Sequence, residues 1–513
     1  MAIVQLSGTS VALGAAALIG LWIVYELAFS PLRHFSGPTL ARFTNFYRSG
    51  LTLQGKVDSN FKHWHRQWGT AVRVGTNCIS ISDPDLIKVI YTTKNAWVKS
   101  EMYRVNDVVV NGQRMPNIFN TPDKAFHAKY SNPIRGFWSM TKILDMEPLM
   151  DETLRELVAV LTTRFADPEK ERDNPVCMMD DWLTYYAWDA TANVSFGKQY
   201  GFLQQGRDVE GIIGESTAGL KYFAPVSQMP WIDEWLDKNP VLRIGPRPLV
   251  NGFVYTVRMI TEYHQDMAAG NKTKPVDTFL DKYYTLKGNP DFVDDSQIIN
   301  WIMLNVLAGG DSTSGAMRSF VYHISRTPSA ERALLAELDA ANLSLPVQWR
   351  DIKDLPYLNA AALESHRITP ALGLMLEREV PAGGFQLPDG RFIPAGTKVG
   401  MNPCVVTRDV DVFGEDVETF RPERWLRGRD EGEDEFAHRY RRMAEATDLM
   451  YGAGSRVCMG KHMAKVLMYK LFATLYTAFD IKLTSPDHEW KYFNAWFMYQ
   501  TDMPMIITRR QKA

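Results

Sequence analysis

Apolar residues recur along this chain in three rhythms, and each predicts a different kind of element. The first is unbroken: residues 2–25 carry no charge and residues 11–25 are strongly apolar. That is long enough for a bilayer span of about 20 residues. The second is alternation. Residues 69–82 (GTAVRVGTNCISIS) read as two short strands about a turn at 75–77, residues 385–402 as strands around Asp389-Gly390 and Pro394-Ala395-Gly396 turns, and residues 489–507 as a terminal hairpin with Trp496, Phe497 and Met498 at its tip. The third is helical. A long run starts at Asp294 or Asp295 and reaches Arg326, where Thr327-Pro328 stops it; shorter ones begin at Asp83-Pro84 and Asp354-Leu355-Pro356 and cover residues 464–479. The prediction is a mainly α chain with a small β-rich lobe, preceded by one N-terminal apolar helix.

The flanks of that first helix distinguish an anchor from a cleaved leader. A leader wants a basic residue before its apolar core, and none is present. Arg33, His34, Arg42 and Arg48 follow it, which keeps that side in the cytosol. The expected organisation is an anchor over residues 1–29, a stiff hinge over 30–50 set by Pro31 and Pro38, and one globular body over 51–513. Within that body, residues 103–121 are irregular and polar, residues 222–240 dense in aromatics and prolines, and residues 427–447 charge-rich. The first reads as a mere connector. The second fits an access lid dipping toward the membrane or ordinary core packing, and the third a solvated surface excursion.

Composition narrows the chemistry. Basic and acidic residues nearly cancel, 57 against 59, so no footprint for nucleic acid exists. Aromatic residues make up 12% and methionines number 23, which suits a roomy apolar interior for a hydrophobic small molecule. The four cysteines (Cys78, Cys177, Cys404, Cys458) are scattered, against a disulfide framework and for a reduced compartment.

One of those cysteines sits in an unusual loop, Tyr451-Gly452-Ala453-Gly454-Ser455-Arg456-Val457-Cys458-Met459-Gly460. Gly452 and Gly454 allow a tight turn and close approach to a flat ligand. Arg456 offers a fork of donors for a carboxylate, and Cys458, at the start of the helix predicted over 464–479, is placed for thiolate stabilisation by free amides and the helix dipole. A second unusual stretch interrupts the long helix: Ala308-Gly309-Gly310-Asp311-Ser312-Thr313. Adjacent glycines cost a helix about 1 kcal/mol each, so they imply a bend or the close approach of a ligand. An acid followed by two hydroxyls supplies a proton path in an apolar groove. Glu364 and Arg367 share one helix face, where a weak surface pair is the ordinary expectation.

Taken together these stretches resemble the cytochrome P450 family over nearly the whole chain from about residue 30. The loop matches that family's haem-binding pattern except that Tyr451 stands where Phe is usual. The helix interruption matches its oxygen-binding motif with Ser312 in place of the usual Thr, leaving Ser312 and Thr313 both as candidate proton donors. The resemblance implies the cytochrome P450 fold, haem b (iron protoporphyrin IX) with Cys458 as axial iron ligand, and O2 as co-substrate. It implies haem contacts from Tyr451, Gly452, Gly454, Arg456, Ala308 and Gly309, and propionate contacts from His127, Lys129 and Arg378. Asp311 with Ser312 or Thr313 would relay protons. For residues 103–121 the resemblance implies a variable loop over the substrate pocket. Glu364 and Arg367 would be locked by Arg424 of Phe420-Arg421-Pro422-Glu423-Arg424-Trp425 as a structural triad.

The same resemblance implies electrons from NADPH through NADPH–cytochrome P450 reductase, with cytochrome b5 as an alternative donor. It implies an endoplasmic reticulum membrane location, single-pass, with the body facing the cytosol. Local strings such as Gln228-Met229-Pro230-Trp231 look most like filamentous-fungal members related to pisatin demethylase, which tailor terpenoid, polyketide and alkaloid secondary metabolites. The expected activity is oxidation of a hydrophobic small molecule, with the hairpin tip at the substrate. The competing reading, a haem-thiolate isomerase or dehydratase needing no external electrons, fits poorly with a retained acid–hydroxyl pair.

Overall fold

The computed structural model describes residues 8–93, 97–110, 112–166, 175–245, 250–271, 274–288 and 294–510. Residues 1–7, which the expected anchor includes, lie outside them. The axis of the body is one helix, Asp295–Ser325, capped by Asp294, whose carboxylate accepts the Gln297 N–H. Around it pack Met179–Phe196, Glu147–Phe165, Val250–Ala268, Pro356–Ile368 and Lys461–Ala478, and their apolar faces merge into one buried cluster. A second cluster lies under the strand-rich lobe. That lobe is a five-stranded sheet in the order Ala71–Gly75, Cys78–Ile81, Lys398–Gly400, Arg378–Glu379, Val98–Lys99. The strands run antiparallel except for Lys398–Gly400 beside Cys78–Ile81. The predicted strand pair about residues 75–77 is present, with a register shift between Arg73 and Gly75, and the terminal hairpin, Lys491–Ala495 with Phe497–Thr501, pairs without interruption.

The two glycines of the central helix have a different cause from the one the sequence suggested. The helix runs unbroken through them. A Cβ on Gly310 would lie 2.4 Å from the Trp188 ring, and one on Gly309 would lie 2.8 Å from Thr191 Cγ2. Both neighbours belong to the Met179–Phe196 helix. The glycines therefore let two helices approach until an indole fills the space of a missing side chain.

Other local expectations change for equally physical reasons. The Pro356–Ile368 helix is capped from outside: Glu337 accepts the Tyr357 and Leu358 N–H groups at 2.7 and 2.8 Å, whereas Asp354 was the sequence signal. The charge-rich stretch is solvated over most of its length but ordered, with one buried face. It folds into Glu433–Asp448, which buries Met443, Ala446 and Thr447, and Arg439 donates to the Arg424 and Leu426 carbonyls. The irregular stretch after residue 100 forms a 3-10 turn over Glu101–Asn106 and a short hairpin, Val108–Val110 with Gln113–Met115.

At the N-terminus, Thr9–Phe29 is long and apolar enough to cross a membrane, with mean hydropathy 2.0, and only 6% of its apolar window is buried. Beyond it the chain is not a free hinge. Leu32 and Phe35 are buried, and the Arg73 N–H donates to Ser36 O at 2.8 Å. Glu26 accepts from Arg73 at 2.6 Å with both side chains almost fully buried. Phe29, Leu40, Phe46 and Leu53 stay exposed, as do Trp231 and Trp235 of the predicted lid stretch and Val241 and Leu242 just beyond it.

Replacing Gly310 with Ala tests the helix contact. Overpacking of this kind costs about 1–3 kcal/mol, so Gly310→Ala should lower the Tm of the haem-loaded protein. An unchanged Tm would show that the two helices part freely.

Candidate active site

The cysteine loop is shaped by its backbone. Gly454 has φ +64°, and a Cβ there would sit 1.8 Å from the Tyr91 carbonyl oxygen, so no other residue fits. Gly452, at φ +71°, completes the turn, and the Cys458 N–H closes it by donating to Tyr451 O at 2.7 Å. The Lys461–Ala478 helix begins three residues on. Burial pushes the Cys458 thiol up; the N–H groups of Gly460 and Lys461, aimed at the sulfur, and the Lys461 charge pull it back. That donor set suits a bound thiolate, and a coordinating thiol is deprotonated outright. Burial pushes the Tyr451 phenol up as well, so it is neutral. Its ring meets His366 edge-on.

Cys458 and Val457 expose surface inside the body. In the central helix Ala308 does the same, between buried Val306 and buried Gly310. Gly309 does not line this surface, because the side where a Cβ would stand faces Thr191. Ser312 is half-buried and donates its hydroxyl to the Ala308 carbonyl at 2.6 Å, a local bond that tends to bend helices. Thr313 is buried. Of the two hydroxyls, Ser312 is the accessible one.

Asp311 is fully buried and points to the opposite side. Its carboxylate accepts from Trp188 Nε1 at 3.2 Å, Ser216 Oγ at 2.8 Å and the Tyr499 hydroxyl at 2.9 Å. Burial pushes the carboxyl up, and the three donors oppose that shift. Neither Ser216 nor Tyr499 carries a sequence signal for this role, because they lie 95 and 188 residues away along the chain.

A group of cations borders the cysteine loop. Burial and the nearby Arg378 and Arg456 charges push the buried Lys99 ammonium well down. Arg456 is lowered to about 10 by burial and by Arg378. His127 is lowered to about 4 by burial and by Arg456 and Lys99. Lys99, Arg378 and Arg456 line one small cavity with Tyr91 and Trp97. Among the described residues no carboxylate lies in ion-pair contact with any of these four groups. Like charges gathered without an acid are costly unless an anion joins them. A flat macrocycle bearing two carboxylates and carried on a thiolate fits this donor set, so the residues present fit haem.

Lys129 does not join the group; it is exposed, its ammonium over the Tyr130 ring. Lys99 was missed because only tertiary pairing reveals it. Its two-residue strand sets it opposite Arg378 in the sheet.

Behind the loop lies a saturated charge network. Glu364 accepts from Arg367 at 2.7 and 2.8 Å, from Arg424 Nε at 2.9 Å, and from Trp425 Nε1 and the Arg421 N–H at 2.9 Å each. Arg367 also donates to the Thr407, Val417 and Thr419 carbonyls. All three charged residues are buried. Burial would push the Glu364 carboxyl up, but Arg367 and Arg424 outweigh it and hold it below its ordinary range.

Above the site Trp496, in a turn at φ +82°, meets Tyr103, Phe119 and Phe223 edge-on at 5.6–5.8 Å. This aromatic box draws on the loop after residue 100, the Ile212–Val226 helix and the terminal hairpin. It gives the hairpin turn its place among aromatic side chains.

Comparison with known proteins gives one family. Residues 37–507 match the family model described as Cytochrome P450. The chain is 34% identical over 493 residues to Cytochrome P450 monooxygenase cfoH of Aspergillus candidus, covering 96% of this chain and 91% of that one. It is 33% identical over 491 residues to Cytochrome P450 monooxygenase cicH of Emericella nidulans, covering 94% of each. A third relative, Cytochrome P450 monooxygenase mpaDE of Penicillium roqueforti, is 34% identical over 490 residues; the match takes in 94% of this chain and 56% of that longer protein.

Two sets of substitutions separate these assignments. Removing one partner of a buried ion pair costs about 3–5 kcal/mol, so Arg424→Ala should lower the Tm and the haem content per protein together. Lys99→Met should weaken haem retention in a haem-transfer assay with apomyoglobin, whereas Lys129→Met should leave it unchanged. Equal retention in all three proteins would remove Lys99 from the site.

Proposed function

The chain belongs to the cytochrome P450 family, and from that premise we propose that it oxidises a hydrophobic small molecule of fungal secondary metabolism with electrons passed from NADPH by a membrane-bound reductase. It is a P450 monooxygenase, and its family implies haem and O2. The observation that carries the site assignment is the pairing of a cysteine cradled by two backbone N–H groups with a cluster of cations that, among the described residues, has no carboxylate in ion-pair contact.

When bound, the haem supplies a thiolate-ligated iron on which dioxygen is activated. The residues divide the remaining work. Cys458 Sγ holds the iron, with its charge stabilised by the Gly460 and Lys461 amides and by the helix that follows. Arg378, Arg456, Lys99 and His127 would take the two carboxylates of the macrocycle, and the turn at Gly452 and Gly454, set against the Arg456 and Tyr91 carbonyls, shapes the loop that carries Cys458. Ala308 keeps the opposite wall low. Asp311, held by donors on the core side of the helix, would supply a proton to the relay, and the Ser312 hydroxyl would pass it into the site; a positioned acid contributes about 10²–10⁴-fold to such a transfer. Thr313 is buried beside it. Glu364, Arg367 and Arg424 hold the segments that brace the loop.

The substrate reading rests on the apolar character of the box formed by Trp496, Phe119, Tyr103 and Phe223, and on resemblance to fungal relatives. The apolar Thr9–Phe29 helix supports single-pass attachment, with the endoplasmic reticulum as the membrane and the body in the cytosol, where the reductase, with cytochrome b5 as a second donor, can reach it.

In the reduced, carbon monoxide-treated protein the absorbance band of thiolate-ligated haem is expected, and Cys458→Ala should abolish it. Survival of that band in the variant would overturn the ligand assignment. Yeast membranes holding this protein and a reductase should consume NADPH in the presence of a fungal terpenoid, polyketide or alkaloid intermediate and yield a product one oxygen heavier. Equal yield without NADPH would favour an isomerase or dehydratase.

A further inference from the structure

Asp311 is held by donors from three separate elements, and two of them belong to parts of the molecule that also build the aromatic box. Trp188 comes from the core helix Met179–Phe196 and can only donate. Ser216 comes from the Ile212–Val226 helix. Tyr499 comes from the terminal hairpin, paired across it with Phe493. The Tyr499 hydroxyl is itself hydrogen-bonded by Thr217, one residue beyond Ser216. The two hydroxyls therefore meet on Asp311 Oδ2 while Trp188 occupies Oδ1.

We infer that Ser216 and Tyr499 are positioning residues for Asp311, so that proton delivery is complete only while the Ile212–Val226 helix is seated on the central helix. This rests on the reading of Asp311 as the proton donor to Ser312.

The geometry explains why the helix and the carboxylate move as one. Glu215, the residue before Ser216, accepts the N–H groups of Val250, Asn251 and Gly252, and so caps the Val250–Ala268 helix. At its far end the same helix carries Phe223 into contact with Trp496 at 5.6 Å, and Tyr222 donates to Asp233 at 2.7 Å. A shift of this helix that reshapes the box therefore also withdraws the Ser216 hydroxyl. A buried carboxylate left with fewer donors holds its proton more tightly and is free to turn. With three donors it stays in one orientation on the core side of the helix and gives up its proton to the relay more readily, regaining one from solvent. No electrons are involved in that exchange. Lid closure completing a catalytic set is a general device; here the link is two hydroxyls on one oxygen.

The test uses the haem-loaded full chain with NADPH–cytochrome P450 reductase in lipid vesicles, without added substrate. Dioxygen that takes two electrons and two protons leaves as hydrogen peroxide; water requires two more of each. The readout is peroxide formed per NADPH oxidised. Tyr499→Phe and Ser216→Ala should each raise that ratio several-fold, with haem content and the carbon monoxide band unchanged. Ser216→Thr, which keeps the hydroxyl, should return it toward the parent. Amide hydrogen exchange over residues 212–226 should quicken in Ser216→Ala. Asp311→Asn serves as the reference and should raise the ratio further. If Asp311→Asn changes the ratio while Tyr499→Phe and Ser216→Ala match the parent, the positioning role is wrong, even if exchange quickens. If Asp311→Asn itself changes nothing, the proton-donor reading fails and this inference fails with it. Should Tyr499→Phe lose haem, the Ser216→Ala and Ser216→Thr pair decides alone.

Discussion

The close contact between the central helix and the Met179–Phe196 helix sets the geometry of everything above the cysteine. Trp188 occupies the space where a Gly310 side chain would be, and Thr191 does so at Gly309. With that face pressed into the core, helical spacing places Asp311 toward Trp188 and leaves Ala308 and Ser312 with surface. One packing decision thus separates the acid from the hydroxyl and gives each its own surroundings. A bulkier residue at either glycine would move both at once.

Buried charge in this molecule falls into two kinds. In the first, each buried carboxylate faces a cation. Glu364 takes five hydrogen bonds from four residues. Glu377 accepts from Arg48 at 2.9 Å and from Ser100 at 2.8 Å, in contact with Cys78. Such clusters add little net stability over apolar packing, but they hold loops in one register because breaking them strands a charge. The second kind is the gathering of Lys99, Arg378, Arg456 and His127, where neighbouring like charges help lower the proton affinity of Lys99, Arg456 and His127. Backbone carbonyls of Phe119, Glu377 and Ile118 accept from Lys99, Arg378 and Arg456, but among the described residues no carboxylate pairs with these cations, and an anionic ligand would. The contrast between the two kinds distinguishes scaffold from binding site more clearly than the burial of any one residue.

The N-terminal end shows the first kind serving another purpose. The Glu26–Arg73 pair joins the last turn of the apolar segment to an interior strand, and Gly37 passes so close to Arg73 O that a Cβ would lie 2.1 Å away. The segment is therefore seated on the sheet. Arg48, read from the sequence as one of the flanking positive charges, is instead buried against Cys78 and Glu377. Trp235 is 69% exposed on the lid stretch, which separates this stretch from ordinary core packing, although Met229 and Asp233 within it are buried.

The sequence by itself determined whatever depends on near neighbours. Hydrophobic periodicity located the central helix, the Lys461–Ala478 helix and the terminal hairpin. The spacing of glycine, arginine and cysteine around Cys458, and of Glu364 with Arg367, named groups that local backbone geometry brings together. Tertiary structure alone decided what those groups face. Lys99 meets Arg378 through a strand pairing that spans most of the chain. Glu337 caps a helix in place of the local Asp354, residues 427–447 gain a buried face only once Trp425 and its neighbours are there to cover, and Tyr499 reaches Asp311 across 188 residues. The physical reason is the range of the forces: propensity, capping and turn chemistry act over a few residues. Burial and charge pairing act over a few ångströms, whatever the separation along the chain.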